Sequence, residues 1–235
     1  MRTIIAAELR LLTRSWFAVV MAGVLPAAVG LMIVWAEQDT ARAGWGGAAG
    51  LLLNSLVALT AYASGTTALA ARRQQFVLKR LRMSGVADPA ILAAMLTPVF
   101  LLTLAQAAVL MVFVAAAGHR PANPGLLVVA TLGATAAGCA LALATAVVTP
   151  TPEVAQLTTA PIGLAFLGGA LWALQTPPGE VDRAMLAVPG VPVTQIVRSA
   201  WDGGGPAGAS IVALAVLTVV VLPGAVRLFS WDPRR

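Results

Sequence analysis

Six stretches of this chain run for about 20 residues or more without one Asp, Glu, Lys, Arg or His. They are Phe17–Ala36, Trp45–Ala70, Ala90–Ala117, Gly125–Thr149, Val154–Leu174 and Gly208–Val226. At about 1.5 Å of rise per helical residue, each can cross the roughly 30 Å hydrocarbon core of a bilayer. The pattern predicts an all-α integral membrane protein with six transmembrane helices, forming one domain over residues 1–235. Four stretches carry an internal proline: Pro26, Pro98, Pro161 and Pro223. Spanning helices accept such residues because neighbouring helices and Ser or Thr hydroxyls satisfy the freed carbonyls. Gly133, Ala137 and Gly138 predict close helix contact in the fourth stretch. The first stretch is too long for a signal-peptide core of about 7–15 residues and reads as a retained helix.

Three segments between or before the spans have their own pattern. Over residues 1–16, Ile5, Leu9, Leu12 and Trp16 fall on one helical face, with Arg10 and Arg14 roughly opposite. This predicts an amphipathic helix lying in the headgroup layer, the alternative being a plain extension of the first span. Residues 72–85 also form an amphipathic pattern if helical. Val77, Leu78 and Leu81 make a narrow apolar stripe that anchors the segment on the helix ends. Arg72, Phe76, Lys79, Arg80 and Met83 lie nearly opposite. The segment is then either a short rigid element presenting two apolar knobs among positive charges to another protein, or a solvated basic loop. In residues 175–208, Val193–Trp201 predicts a short helix with Ile196, Val197, Ala200 and Trp201 on its apolar side. Pro177, Pro178, Pro189, Pro192 and the Gly203–Pro206 run bound it.

Composition and charge sharpen this picture. Hydrophobic residues make up 59% of the chain and charged residues 10%, against roughly 25% charged in soluble domains. The chain has too few polar groups to cover a water-facing surface, and its mean hydropathy is +0.89. The net charge of +6 would suggest nucleic acid in a soluble protein. Here the basic residues sit between apolar runs and instead orient the chain against anionic headgroups. With both termini in the cytoplasm, eleven Lys and Arg lie inside and four outside: Arg42, Arg120, Arg183 and Arg198. An even number of spans requires the termini to share a side, so count and charge agree.

Several chemistries are excluded. The single lysine, Lys79, precedes Arg80 and lacks upstream glycines, so the chain has no phosphate-cradling P-loop. One histidine, His119, and one cysteine, Cys139, cannot build a His/Cys metal or haem site. No span contains histidine for an intramembrane Ser–His pair, or an ionisable residue of the kind proton-coupled carriers keep at membrane depth. The strongest polar groups in the spans are Asn54, Ser64 and Gln106. They line a pathway or hydrogen-bond between helices, and the sequence leaves both open.

With its Leu78-Lys79-Arg80-Leu81-Arg82 core and Ser84, the 72–85 segment resembles the coupling helix of the ABC-2 type (type V ABC exporter) permeases. The similarity is to their daunorubicin-resistance-like branch in particular. The six spans, amphipathic N-terminus and long segment between spans five and six are similar to that family over the whole chain. The family often has acidic residues and a glycine before the core, where this chain has Arg72-Arg73-Gln74-Gln75-Phe76-Val77. The resemblance implies a plasma-membrane permease with a coupling helix over 72–85 and a half-inserted helical segment over 175–208. Arg72, Phe76, Lys79, Arg80 and Met83 would meet a separate ABC ATPase, and Thr151, Pro152 and Glu153 would form a second cytoplasmic contact. This turn itself reads as a helix start, with a Thr cap and Pro at the first position. The chain would bind no cofactor, ATP and Mg being held by the partner. It would act as a homodimer or with a related second permease, among membrane lipids, moving a hydrophobic or amphiphilic cargo outward. The rival readings are an ATP-independent secondary transporter or channel, and a membrane scaffold.

Overall fold

The computed structural model describes residues 44–75, 85, 87–116, 120–203 and 205–229, and all regular structure among them is helical. The predicted first span, the 1–16 helix and residues 76–84 of the predicted coupling segment lie outside the described residues.

Helix α1 covers Gly44–Gln74 and corresponds to the predicted second span. It is α-helical to Leu56, π-helical over Val57–Ser64 and α-helical again from Gly65 to Gln74. Then come α2 (Asp88–Ala116), α3 (Pro124–Val148), α4 (Pro152–Gln175), a short α5 (Gly190–Asp202) and α6 (Gly208–Leu228). Helices α1, α2, α3, α4 and α6 are long and apolar enough to cross a membrane, matching the second to sixth predicted spans. Pro98, Pro161 and Pro223 lie inside their helices.

Local chemistry sets the helix starts. Asn123 accepts a hydrogen bond from the Leu126 N–H at 3.0 Å, with Pro124 at the first helical position of α3. Thr151 does the same for the Val154 N–H, ahead of Pro152 in α4. In each case the cap satisfies an amide that the helix cannot, and proline sits where no N–H is needed. Helix α5 begins at Gly190, three residues before the predicted start, and takes in Pro192. A first-turn proline gives up only an amide that has no intrahelical partner.

α1 is the centre of the bundle. Residues Leu52, Leu53, Leu56, Val57, Ala61, Tyr62 and Leu69 are all at most 1% exposed. Glycines let its neighbours approach. A Cβ on Gly138 of α3 would sit 2.8 Å from Val57 Cγ1 and 3.0 Å from Ala61 Cβ, and one on Gly133 would sit 2.8 Å from Leu214 of α6. α5 packs along the first half of α1, with Gly46 and Gly50 against its backbone. Cβ atoms there would lie 2.8 Å from Arg198 Cα and 3.1 Å from Thr194 Cα. Gly190 rests directly on the Phe166 carbonyl of α4. The outer helices present large apolar side chains outward, with Val109 of α2 72%, Leu157 of α4 77% and Val219 of α6 69% exposed. Apolar exposure on this scale suits hydrocarbon surroundings.

Gly190→Ala and Gly50→Leu are each expected to destabilise the detergent-solubilised protein by about 1–3 kcal/mol through overpacking. Melting should fall by several degrees. Gly163→Ala, where a Cβ meets nothing within 4 Å, should leave the melt unchanged or raise it. Equal melts for all three would mean the α1–α5 and α4–α5 contacts are looser than described.

Candidate functional site

Two ends of α1 and one point between them concentrate the polar chemistry. At the Gln74 end, Arg73 is 1% exposed although it belongs to an Arg-Arg pair. Tyr62, Thr66, Leu69 and Arg73 follow at spacings of four, three and four, so the arginine continues the buried face of the helix. Its guanidinium donates to the Ala146 carbonyl at 3.0 Å and to the Thr149 carbonyl, both at the end of α3. It also lies 6.0 Å from the centre of the Phe229 ring, one residue past α6. The Ala146 carbonyl would ordinarily accept from residue 150, but Pro150 has no N–H. Arg73 supplies the missing donor and places a positive charge at the negative end of the α3 dipole.

Beside this junction is the α3–α4 turn. Thr149 donates its hydroxyl to the Thr145 carbonyl at 2.8 Å and pairs with the Thr158 hydroxyl at 2.8 Å. Thr151 caps α4, Pro152 is partly buried and Glu153 is exposed in the first turn. The three residues predicted as a second contact thus form one helix start, directly after the turn that Arg73 holds. Arg72 is half-buried and its guanidinium donates to Gln75 Oε1 at 3.4 Å. It closes the last turn of α1 instead of opening a separate element, because helical hydrogen bonding continues to Gln75. Phe76, Val77, Leu78, Lys79, Arg80, Leu81 and Met83 lie outside the described residues.

Midway along α1, the π-helical segment carries Tyr62, whose hydroxyl pairs with Thr145 of α3 at 3.0 Å. Its ring lies 6.3 Å from that of Phe166 on α4. Thr66 donates to the Tyr62 carbonyl and to the Ala142 carbonyl, at 2.9 and 3.3 Å. Ser64 closes the π segment and donates to the Leu59 carbonyl five residues back, at 2.9 Å. Asn54 is fully buried on the same helix, before the π segment. Its amide nitrogen faces the Gly50 carbonyl at 2.8 Å, Thr194 Oγ1 at 3.0 Å and the Gly190 carbonyl at 3.3 Å, joining α1 to α5. Gln106 is half-buried on α2.

At the Gly44 end, α5 exchanges charge with two helix ends. The Asp202 carboxylate accepts from the Gly46 N–H at 3.1 and 3.2 Å, capping α1 from 156 residues away. Arg198 donates to the Ala173 and Thr176 carbonyls at the end of α4, at 2.8 and 3.0 Å. Partial desolvation holds the Asp202 carboxyl above its ordinary range, against the opposing pull of the Gly46 N–H and Arg198. A raised carboxyl pKa means that the folded protein binds this proton more tightly than the unfolded chain does. Its contribution to stability is full below the ordinary carboxylate pKa and lost as pH rises through the raised one. As pH rises above the ordinary carboxylate value of about 4, wild-type melting should therefore fall relative to Asp202→Asn. Asp202→Ala, which removes the cap, should be less stable than Asp202→Asn by about 1 kcal/mol. Parallel pH profiles for wild type and Asp202→Asn would show that the carboxyl is not perturbed.

A family model described as ABC-2 family transporter protein matches residues 38–227, which takes in all six described helices except the last residue of α6. No curated protein and no solved structure matches the chain. The family model covers well over half of the sequence, and the apolar helices it spans have the lengths a membrane requires: the chain belongs to the ABC-2 family of transporter membrane proteins.

Proposed function

We propose that this protein is the permease subunit of an ATP-binding cassette exporter, driven by a separate ATPase chain that holds ATP and Mg. The observation that carries the reading is the unbroken path of α1. One helix runs from the α5 contact at Gly46–Asn54 to the Arg73 junction, and the basic 76–84 segment follows it directly. A push on that segment meets a buried, tied helix and not a loose loop. In this reading the Gln74 end of the bundle is cytoplasmic, in the plasma membrane, and Phe76, Lys79, Arg80 and Met83 enter a groove of the ATPase. Val77, Leu78 and Leu81 anchor the segment, and Thr151–Glu153 makes the second contact. Two permeases, identical or related, stand side by side as in the daunorubicin-resistance-like branch. The uncharged spans suit a hydrophobic or amphiphilic cargo. An ATP-independent carrier would draw on Asn54, Ser64 and Gln106. The Asn54 amide nitrogen is taken up between α1 and α5, which counts against a pathway role for that group.

Mild-detergent purification from native membranes is expected to bring down a P-loop ATPase in stoichiometric amount. Phe76→Asp should abolish that capture. Charge reversal at Lys79 and Arg80 should weaken it in a salt-dependent way, since exposed charges are screened within about 10 Å at 0.1 M salt. Capture that tolerates both changes would remove the coupling assignment. A clean preparation without any ATPase would favour the carrier.

A further inference from the structure

We propose that Arg73 is a positioning residue that joins the two cytoplasmic contacts of this permease into one mechanical unit, an inference that rests on the exporter reading above. The argument begins with chain distance. Arg73 is three residues before Phe76, and Thr149, whose carbonyl it holds, is two residues before Thr151. The guanidinium is thus a buried polar link between the segment leaving α1 and the turn that starts α4, beside the direct packing of Gly65–Gln74 on α4. Its geometry suits the task. A planar guanidinium offers several N–H donors in fixed directions, so binding two carbonyls fixes both its position and its rotation. The site is closed to water, with Arg73 at 1% and Phe229 at 5% exposure, and this strengthens charge–dipole contact.

The backbone makes the arrangement hard to replace. Pro150 leaves the Ala146 carbonyl without its helical donor, so the α3 end needs a partner from outside its own helix. Phe229 brings the end of α6 onto the same cation. Arg73 therefore fixes the ends of α1, α3 and α6 at one point. In this proposal Arg73 adds a rigid polar tie to the packing of Gly65–Gln74 on α3 and α4, so that a displacement of α1 by an ATPase docked at 76–84 moves the α3–α4 turn with it.

The test uses the permease–ATPase complex, with Cys139 replaced by Ala and spin labels at Gln75 and Gln156, both exposed. Wild type should give a narrow distance distribution that keeps its width when ATP and vanadate trap the ATPase. Arg73→Gln should still capture the ATPase in the same ratio, with the distribution at least twice as wide and changed by trapping. Arg73→Lys, which keeps the charge but not the fork, should fall between. Distributions equal to wild type in both variants would overturn the proposal. If Arg73→Gln does not fold, Arg73→Lys decides: an intermediate width supports the junction and an unchanged one overturns it. A wild-type permease that captures no ATPase would remove the exporter reading. The same widths, measured on the permease alone, would still decide whether Arg73 holds the two segments together.

Discussion

The ends of helices are what this bundle has to solve. Each α-helix leaves about four amides and four carbonyls without intrahelical partners, and a lipid environment supplies no water to satisfy them. Three of these ends are completed by charged side chains from elsewhere in the chain. Asp202 meets the positive start of α1, Arg198 the negative end of α4, and Arg73 the negative end of α3. In each case the sign of the charge matches the helix dipole, which offsets part of the desolvation that burial imposes on Asp202 and Arg198. These three contacts tie α1 to α3 and α5, and α5 to α4, alongside the apolar core and the close approach that glycine allows.

The five spans among the described residues were legible because lipid selects for length and absence of charge, and both can be read along the chain. The Thr151 cap with Pro152 was equally legible, since it depends on four neighbouring residues. What the sequence concealed depends on distant partners. Arg72 and Arg73 ended the apolar run, so both were assigned to the basic segment, yet one is half-buried and the other lies on carbonyls. The signal for Arg73 was present in the Tyr62, Thr66, Leu69 spacing, which it continues, and in Pro150, which removes a donor. Helix α5 was read as Val193–Trp201 with one apolar side, yet it is buried on nearly every face, Thr194, Gln195 and Ser199 included. Its first turn was missed because Pro192 was read as a boundary.

The π-helical segment had no legible signal at all. Nothing in Val57–Ser64 distinguishes it from ordinary helix, because the wider turn comes from hydrogen bonding, and not from residue type. The Ser64 hydroxyl follows the wider turn, donating to a carbonyl five residues back, where the Thr66 and Thr67 hydroxyls in the α-helical part donate to carbonyls four back. Such turns are rare and concentrate at functional positions. Here it carries Tyr62, where α1, α3 and α4 meet.

The pairing of α1 with α5 also sets a schedule for making the protein. The Gly46 amide and the Asn54 side chain find their partners 156 and 136 residues later in the chain. At roughly 5–20 residues per second of synthesis, α1 waits on the order of ten seconds in the membrane with an uncapped end and an asparagine held only by its own helix, through the Gly50 carbonyl. During that time its glycine face and asparagine can pair with any neighbour that the insertion machinery or a lipid offers. The centre of the bundle is among the first parts inserted and among the last completed, so biogenesis must keep α1 provisional until the ribosome has passed residue 202.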